Sequence, residues 1–261
     1  MGHIENLKIV ITAGGSGIGS EMAIALSKAG ARVIICDKNK DLLESFSNKN
    51  LNIDMYHVDV SNEAQIKSFF ESITDKYQTI DVLVNNAGIS GPSAKLEDVS
   101  FDDWKETLNV NLDGAFLSAK YVIPLMKENG GSIINMGSTS SFLGTPLRSA
   151  YSATKWGLIG LTKTWAMEYG KNKIKVNAIC PSSVNGDRIE KVIKKEAEYR
   201  GSTPEKIKSA YLKQTSLNSF IDVEEIVGML VYLLSPLAKK ITGQMLVIDG
   251  HTDSLAMVDI D

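Results

Sequence analysis

The chain has 261 residues, 43% of them hydrophobic, and its 28 Lys/Arg and 31 Asp/Glu leave a formal net charge of -3. That is enough chain for a large core in one or at most two domains. The interspersed charges point away from a nucleic-acid surface, and no apolar run is long enough to span a membrane. No secretory signal is read before the first strand. Cys36 and Cys180 close apolar runs and read as small buried residues of a reducing compartment, so the cytoplasm is expected. No metal site is expected.

The first element is Lys8–Thr12, a β-branched run that reads as a buried strand. It leads through Ala13-Gly14-Gly15-Ser16-Gly17-Ile18-Gly19 into a helix expected from Ser20 to Ala29. A glycine-rich turn between strand and helix lets backbone approach a pyrophosphate and aims the helix N-terminus at it. The glycines at 15, 17 and 19 do not fit G-x-G-x-x-G, and a tight turn without a ligand is the alternative. Arg32–Asp37 is the second strand, ending on an acid twenty residues after Gly17. A carboxylate there accepts hydrogen bonds from adenosine ribose hydroxyls and repels a 2′-phosphate. No Arg or Lys stands at Ser16, Ile18 or Asp37 to offset the repulsion, although Lys38 follows, so NAD is expected ahead of NADP. Asp37 could equally cap a helix, and the two roles are compatible.

A third strand, 53–58, closes on Asp59-Val60; Asp59 either meets an adenine amino group or is simply a turn acid. His57 reads as a packed or surface residue rather than a ligand. Helix 62–76 buries Ile66, Phe69, Phe70 and Ile73. The strand Asp81–Val84 runs into Asn85-Asn86-Ala87-Gly88. Residues 101–129 read as one long helix despite Pro124; Asn109 and Asn111 within it mark either surface positions or a kink. Strand 132–136, helix 150–170 and strand 175–180 follow, the last ended by Pro181. Residues 182–218 are polar, helical at 188–199 and 204–213, and lie beyond a strand's C-terminal end, as a lid over a substrate site does. Helix 222–234 and strand 244–248 complete the pattern, and the alternation of strands and helices implies a parallel sheet with helices on both faces.

The chemistry centres on Ser138 and Tyr151-Ser152-Ala153-Thr154-Lys155. Residues four apart share a helix face, so the phenol and the ammonium project together. A neighbouring cation favours the phenolate; bringing a pKa of about 10 near 7 takes roughly 4 kcal/mol and yields a general acid/base. Ser138, after an apolar run, is placed to hydrogen-bond the oxygen of a reacting carbonyl. A Tyr and a Lys on the surface of an amphipathic helix are the alternative.

Taken together, T-A-G-G-S-G-I-G at 12–19, N-N-A-G at 85–88, V-N-L at 110–112, Ser138 and Tyr151-x-x-x-Lys155 resemble the short-chain dehydrogenase/reductase family over about Lys8 to Gly250. The resemblance implies one Rossmann-type domain over 1–261, a doubly wound parallel α/β sheet of about seven strands, with the lid at 182–218. It implies a tetrad of Asn111, Ser138, Tyr151 and Lys155: Ser138 polarises the carbonyl, Tyr151 passes the proton, Lys155 depresses its pKa and grips the nicotinamide ribose, and Asn111 bends its helix and holds a relay water. The cofactor contacts it implies are Gly14, Gly15, Ser16, Gly17, Ile18, Gly19, Asp37, Asp59, Val60, Asn86, Ala87, Gly88, Tyr151, Lys155, Pro181 and Val184. Three positions depart from the pattern: Ala13 and Ser182 where Gly is usual, and Gly186 where many members carry a Thr that holds the nicotinamide carboxamide. A slightly altered turn is expected at Ala13, and Ser183 or Asn185 could replace the missing Thr.

The expected reaction is NAD-dependent interconversion of a secondary alcohol (sugar, polyol or hydroxy acid) and its ketone. Ser140, Arg148 and Arg188 are the candidate substrate contacts. Two guanidiniums can grip a carboxylate, sulfonate or phosphate, or else pair with Asp187 and Glu190. A 3-oxoacyl-thioester reductase and a non-catalytic nucleotide-sensing protein are the competing readings. Relatives of this kind are mostly tetramers built on the two long helices and the final helix and strand, so a homotetramer is expected. The tail after Gly250 either reaches a neighbouring subunit or frays.

Overall fold

The structure is a computed structural model that describes residues 2–47 and 51–256. Its strands are β1 (Lys8–Thr12), β2 (Arg32–Asp37), β3 (Ile53–His57), β4 (Val82–Asn85), β5 (Gly131–Met136), β6 (Ile174–Pro181) and β7 (Met245–Ile248). All are parallel and form one seven-stranded sheet in the order β3-β2-β1-β4-β5-β6-β7. The helices are α1 (Gly17–Lys28), α2 (Lys40–Ser47), α3 (Glu63–Tyr77), α4 (Phe101–Leu108), α5 (Gly114–Met126), α6 (Ser149–Tyr169), α7 (Asp187–Arg200), α8 (Pro204–Lys213) and α9 (Val223–Leu234). This is the doubly wound α/β architecture the alternation implies. Strand order reverses at β1 and β4, which opens a crevice at the strands' C-terminal ends.

Because side chains alternate along a strand, each strand feeds both faces. Val10, Ile34, Leu83, Ile133 and Val176 are buried on one face with Phe69 and Ile73 of α3, Val122 of α5 and Trp165 of α6. Ile9, Ile11, Val33, Ile35, Val84 and Ile134 are buried on the other with Met22 and Leu26 of α1 and Ile226 and Leu230 of α9. Burying each such side chain contributes roughly 1.5–3 kcal/mol, which is why the β-branched runs declare the sheet. A third, small core of Ile193, Ala197, Ile207 and Phe220 holds α7 and α8 together beyond the sheet.

Two elements differ from expectation. Residues 101–129 are not one regular helix: a wide π turn, Asn109–Asp113, separates α4 from α5. Its cause is Asn111, whose buried amide accepts from Ile89 N (2.7 Å) and donates to Ile89 O (2.9 Å), drawing that turn towards the loop after β4. Asn111 therefore marks the kink. A helix does follow β2, α2, but its N-terminal cap is Asn39, whose Oδ1 accepts from Asp41 N and Leu42 N, not Asp37.

Helix α6 is fixed to the sheet by polar contacts that hydrophobic periodicity does not register. Asn85 and Asn135, in register on β4 and β5, bond through Nδ2 and Oδ1 at 2.9 Å. Asn135 Nδ2 then donates to Thr162 Oγ1 of α6, also at 2.9 Å. Buried amides so paired set the helix's rotation, and with it the direction of Tyr151.

Candidate active site

The sequence-predicted groups converge on the crevice. Tyr151 sits in the first turn of α6, half-buried, with a side-chain hydrogen bond to Ser138. Lys155 Nζ lies 5.5 Å from the centroid of the Tyr151 ring, and its ammonium donates to Met136 O at the end of β5 (2.6 Å). Arg148, just before α6, places its guanidinium 4.8 Å over the same ring and donates from Nη2 to Ser90 O (2.9 Å). Burial alone would push the phenol pKa up; Lys155, Arg188, Arg148 and the Ser138 hydrogen bond outweigh it and bring it to about 8. Burial likewise pulls the Lys155 ammonium below its ordinary value, and the phenol only partly offsets this.

Ser138 caps a short helical turn, Thr139–Ser141, which fixes its position. Its Oγ accepts from Ser140 N (3.2 Å) while its N–H donates to Ser141 Oγ (3.1 Å), which leaves the hydroxyl proton to face Tyr151. Ser140 Oγ accepts from Thr145 Oγ1 (2.8 Å). Gly88 closes the floor: a Cβ there would come within 3.3 Å of Asn111 Oδ1 and 3.8 Å of Lys155 Nζ. The amide of Asn111 also donates weakly to Thr154 Oγ1 (3.3 Å). Asn111, Ser138, Tyr151 and Lys155 are thus brought together.

The other end of the crevice suits a dinucleotide. Helix α1 starts at Gly17 with no side-chain cap on its first turn and no acid in it, so its N–H groups face outward. Asp37, buried at the end of β2, accepts from Gly15 N (3.1 Å) and Asn39 N (2.9 Å), which brings its carboxylate against the glycine turn. A cavity of about 290 Å³ opens beside it, lined by Lys38, Asp59, Asn109 and Val110 among others. Burial raises the Asp59 carboxyl, but two hydrogen bonds from Ser61 and the nearby Lys38 charge hold it below the usual value. Val60 is buried against Gly114.

Asn86 and Ala87 serve the turn as much as any ligand. Asn86 Nδ2 donates to Thr12 O (3.0 Å) and Ala13 O (3.1 Å), and the N–H groups of both residues donate to Thr12 Oγ1. A Cβ on Gly19 would run into Ala13 O and Asn86 Nδ2, so glycine is required there by packing.

Ala13, where the pattern expects Gly, adopts φ +50. Alanine there carries a left-handed conformation that costs it about 1–2 kcal/mol. Ala13→Gly is expected to stabilise the protein by about 0.5–1 kcal/mol once glycine's freer unfolded chain is subtracted. The rise in Tm is roughly 1–4 °C, and an unchanged or lowered Tm would show that the turn is unstrained.

At the nicotinamide end, Pro181 ends β6, and Ser182 N donates to Ile248 O (3.0 Å). Val184 forms a parallel bridge with Ile221. The Asn185 amide donates to Asp222 Oδ1 (2.7 Å), which engages it away from a ligand, whereas Ser183 remains a candidate in place of the missing Thr. Gly186 has φ +135, which glycine tolerates and threonine does not.

Among the described residues neither Arg148 nor Arg188 forms an ion pair, so the expected alternative partners Asp187 and Glu190 do not engage them. No pattern in the sequence announces the contacts around Arg148. Tyr211 of α8 donates to Glu196 Oε2 (2.7 Å), and Glu196 pairs with Arg200 (3.2 Å). Burial and the Glu196 carboxylate hold the Tyr211 hydroxyl well above its usual range, against the nearby Arg148 and Arg200 charges. The described part of the tail packs on its own chain, against the end of α8 and the segment after it. Thr252 pairs with Thr215, Ser216 Oγ meets His251 Nδ1 (2.6 Å), and Gln214 Nε2 donates to Ala256 O (3.0 Å). Residues 257–261 lie outside the described residues.

Among the described residues no helix is long and apolar enough to cross a membrane, and no group of His, Cys, Asp and Glu is arranged to hold a metal ion. The family model described as enoyl-(acyl carrier protein) reductase matches residues 12–251. The 3-oxoacyl-(acyl-carrier-protein) reductase of Thermotoga maritima is 36% identical over 95% of this chain and 98% of its own length. The D-beta-hydroxybutyrate dehydrogenase of Rhizobium meliloti is 34% identical over 92% of this chain and 96% of its own. An NAD+-bound xylitol dehydrogenase superposes with a TM-score of 0.90 at 29% identity, covering 95% of this chain and 99% of that one. By fold, motif order and kinship, this chain belongs to the short-chain dehydrogenase/reductase family of oxidoreductases.

Proposed function

We propose that the protein is an NAD-dependent dehydrogenase that interconverts a secondary alcohol and its ketone, with Tyr151 as general acid/base. One observation carries this reading: a phenol held near pKa 8 by Lys155, Arg148, Arg188 and Ser138 beside a glycine turn and an acid-ended β2. In the oxidative direction Ser138 holds the alcohol oxygen, the Tyr151 phenolate takes the hydroxyl proton, and Lys155 keeps that phenolate charged. When bound, NAD supplies the two-electron acceptor. Asp37 would take the adenosine ribose, the first turn of α1 the pyrophosphate, and Lys155 the nicotinamide ribose; Asn111, bonded to Ile89, would seat the relay water. Residues 182–218, whose α7 and α8 share a small core of their own, serve as the lid of a single-domain enzyme.

The substrate we favour is a small hydroxy acid. Arg148 and Arg188 both act on the phenol, neither is neutralised by an acid, and the buried Arg148 Nε has no hydrogen-bond partner. An incoming carboxylate would supply the missing anion. A sugar or polyol would leave these charges unanswered. Thermotoga's thioester reductase favours a second reading, reduction of a 3-oxoacyl thioester, but Asp37 opposes the 2′-phosphate of NADPH. A homotetramer fits the exposed apolar residues Phe116, Trp156 and Met167 on α5 and α6 and Tyr232, Leu237 and Val247 around α9 and β7.

The test is turnover of hydroxy acids, polyols, uncharged alcohols and acyl thioesters with each cofactor. Hydroxy acids with NAD should lead, and Arg148→Met should raise KM for them at least tenfold while leaving uncharged alcohols within about threefold. Equal KM values in the parent and Arg148→Met would remove the anionic substrate; NADPH-dependent reduction of thioesters in preference to all else would install the second reading.

A further inference from the structure

Behind the loop that carries Ser140 and Arg148, the molecule is closed by its own C-terminal tail. Thr145, whose hydroxyl orients Ser140, and Pro146 form one wall of a cavity of only about 40 Å³. Tyr211 of α8 and Gln214 just after it form the second wall, and Leu255 and Ala256 of the tail form the third. A water occupies about 30 Å³ of liquid, so this space takes a water or so and no chain of several carbons. The closure is tied down on both sides. Gln214 reaches Ala256 O, Ser216 N and Leu217 N donate to His251 O and Gly250 O, and Thr215 pairs with Thr252. Tyr211 is in turn fixed by Glu196 and lies within electrostatic reach of Arg148, which covers the Tyr151 ring. Thr145 thus bonds Ser140 on the crevice side and shares with Leu255 the lining of the cavity behind it.

We propose that Leu255 and Ala256, held against Tyr211 and Gln214, are the back wall of the substrate chamber and set the longest substrate the enzyme accepts. This rests on the dehydrogenase reading above. The tail acts as a length gauge: short hydroxy acids fit in front of it, and longer ones require it to move.

The experiment measures kcat/KM with NAD for 3-hydroxy acids of four to ten carbons. It compares the parent, Leu255→Ala, and a chain ending at Ser254. The parent should fall off steeply, by at least tenfold, within two or three added carbons. Leu255→Ala should raise the longer members at least tenfold relative to the four-carbon acid, whose own value stays within about threefold; the shortened chain should extend the cut-off further. If the shortened chain does not fold, as judged by its melting curve, Leu255→Ala alone decides. A parent that accepts all lengths equally, or a cut-off identical in all folded proteins, overturns the proposal while leaving the dehydrogenase reading intact. A parent that oxidises no member of the series overturns both.

Discussion

Tyr151→Phe is expected to lower kcat/KM for alcohol oxidation by about 10³-fold while the protein folds as before. The ring is kept, with Arg148 over one face and Lys155 near it, so the packing of α6 does not change. What is lost is the one oxygen that can take the substrate's proton, and no other group in this site can replace it. The Lys155 ammonium is engaged by Met136 O, and the Ser138 hydroxyl is far too weak a base. The parent's pH profile should report the same group. Oxidation requires the phenolate, so kcat/KM should rise about tenfold per pH unit and level off above a midpoint near the phenol's pKa of about 8; reduction requires the phenol and falls over the same range. In Lys155→Met the strongest influence lowering that pKa is gone while burial still raises it, so the midpoint should move to about 10 or beyond. Residual activity in Tyr151→Phe within tenfold of the parent, or an unmoved midpoint in Lys155→Met, would remove Tyr151 from the chemistry.

Asp37→Asn should change the ratio of kcat/KM for NAD over NADP by about 10²-fold in favour of NADP. The carboxylate sits at the end of β2 with both oxygens engaged by Gly15 N and Asn39 N, so an amide of the same shape keeps the turn and loses the charge. Two unit charges about 5 Å apart at an effective dielectric of 20 repel by about 3 kcal/mol, which is a factor of roughly 10². A 2′-phosphate would also find Lys38, which lines the adjoining cavity and already acts on Asp59, with no carboxylate to cancel it. Because Asn keeps only one acceptor oxygen, the N–H left without it is expected to cost some stability, about 1 kcal/mol, read as a lower melting temperature in both cofactors' absence. An unchanged ratio would mean that Asp37 does not face the adenosine ribose.

The parts of this molecule that could be read from its sequence are those whose cause is local. Strands such as Lys8–Thr12 and Arg32–Asp37 are announced by β-branched runs, and the glycine turn by its composition. The spacing of Tyr151 and Lys155 is fixed by the helix they share. The cap of helix α2 escaped because an acid that looks like a cap stands two residues before the asparagine that caps it. The split between α4 and α5 could not be derived from propensity alone, since its cause is a bond from Asn111 to Ile89, twenty-two residues away. The same holds for Asn135 on Thr162, for the Arg148 charge near Tyr211, and for the tail on α8. In each, the partner is brought near only by tertiary packing, and a single sequence carries no trace of it.

A helix turns through about 100° per residue, so accommodating an extra residue re-phases everything after it. The wide turn at Asn109–Asp113 therefore does more than tilt one amide towards Ile89. It also determines that Ala115, Leu117, Ala119 and Val122 are among the residues of α5 that become buried. Insertion or deletion of one residue between Asn111 and Gly114 would force a choice between keeping Asn111 at the crevice and keeping those apolar residues in the interior. In this stretch, chemistry and core share one indexing mark, and neither can drift without the other.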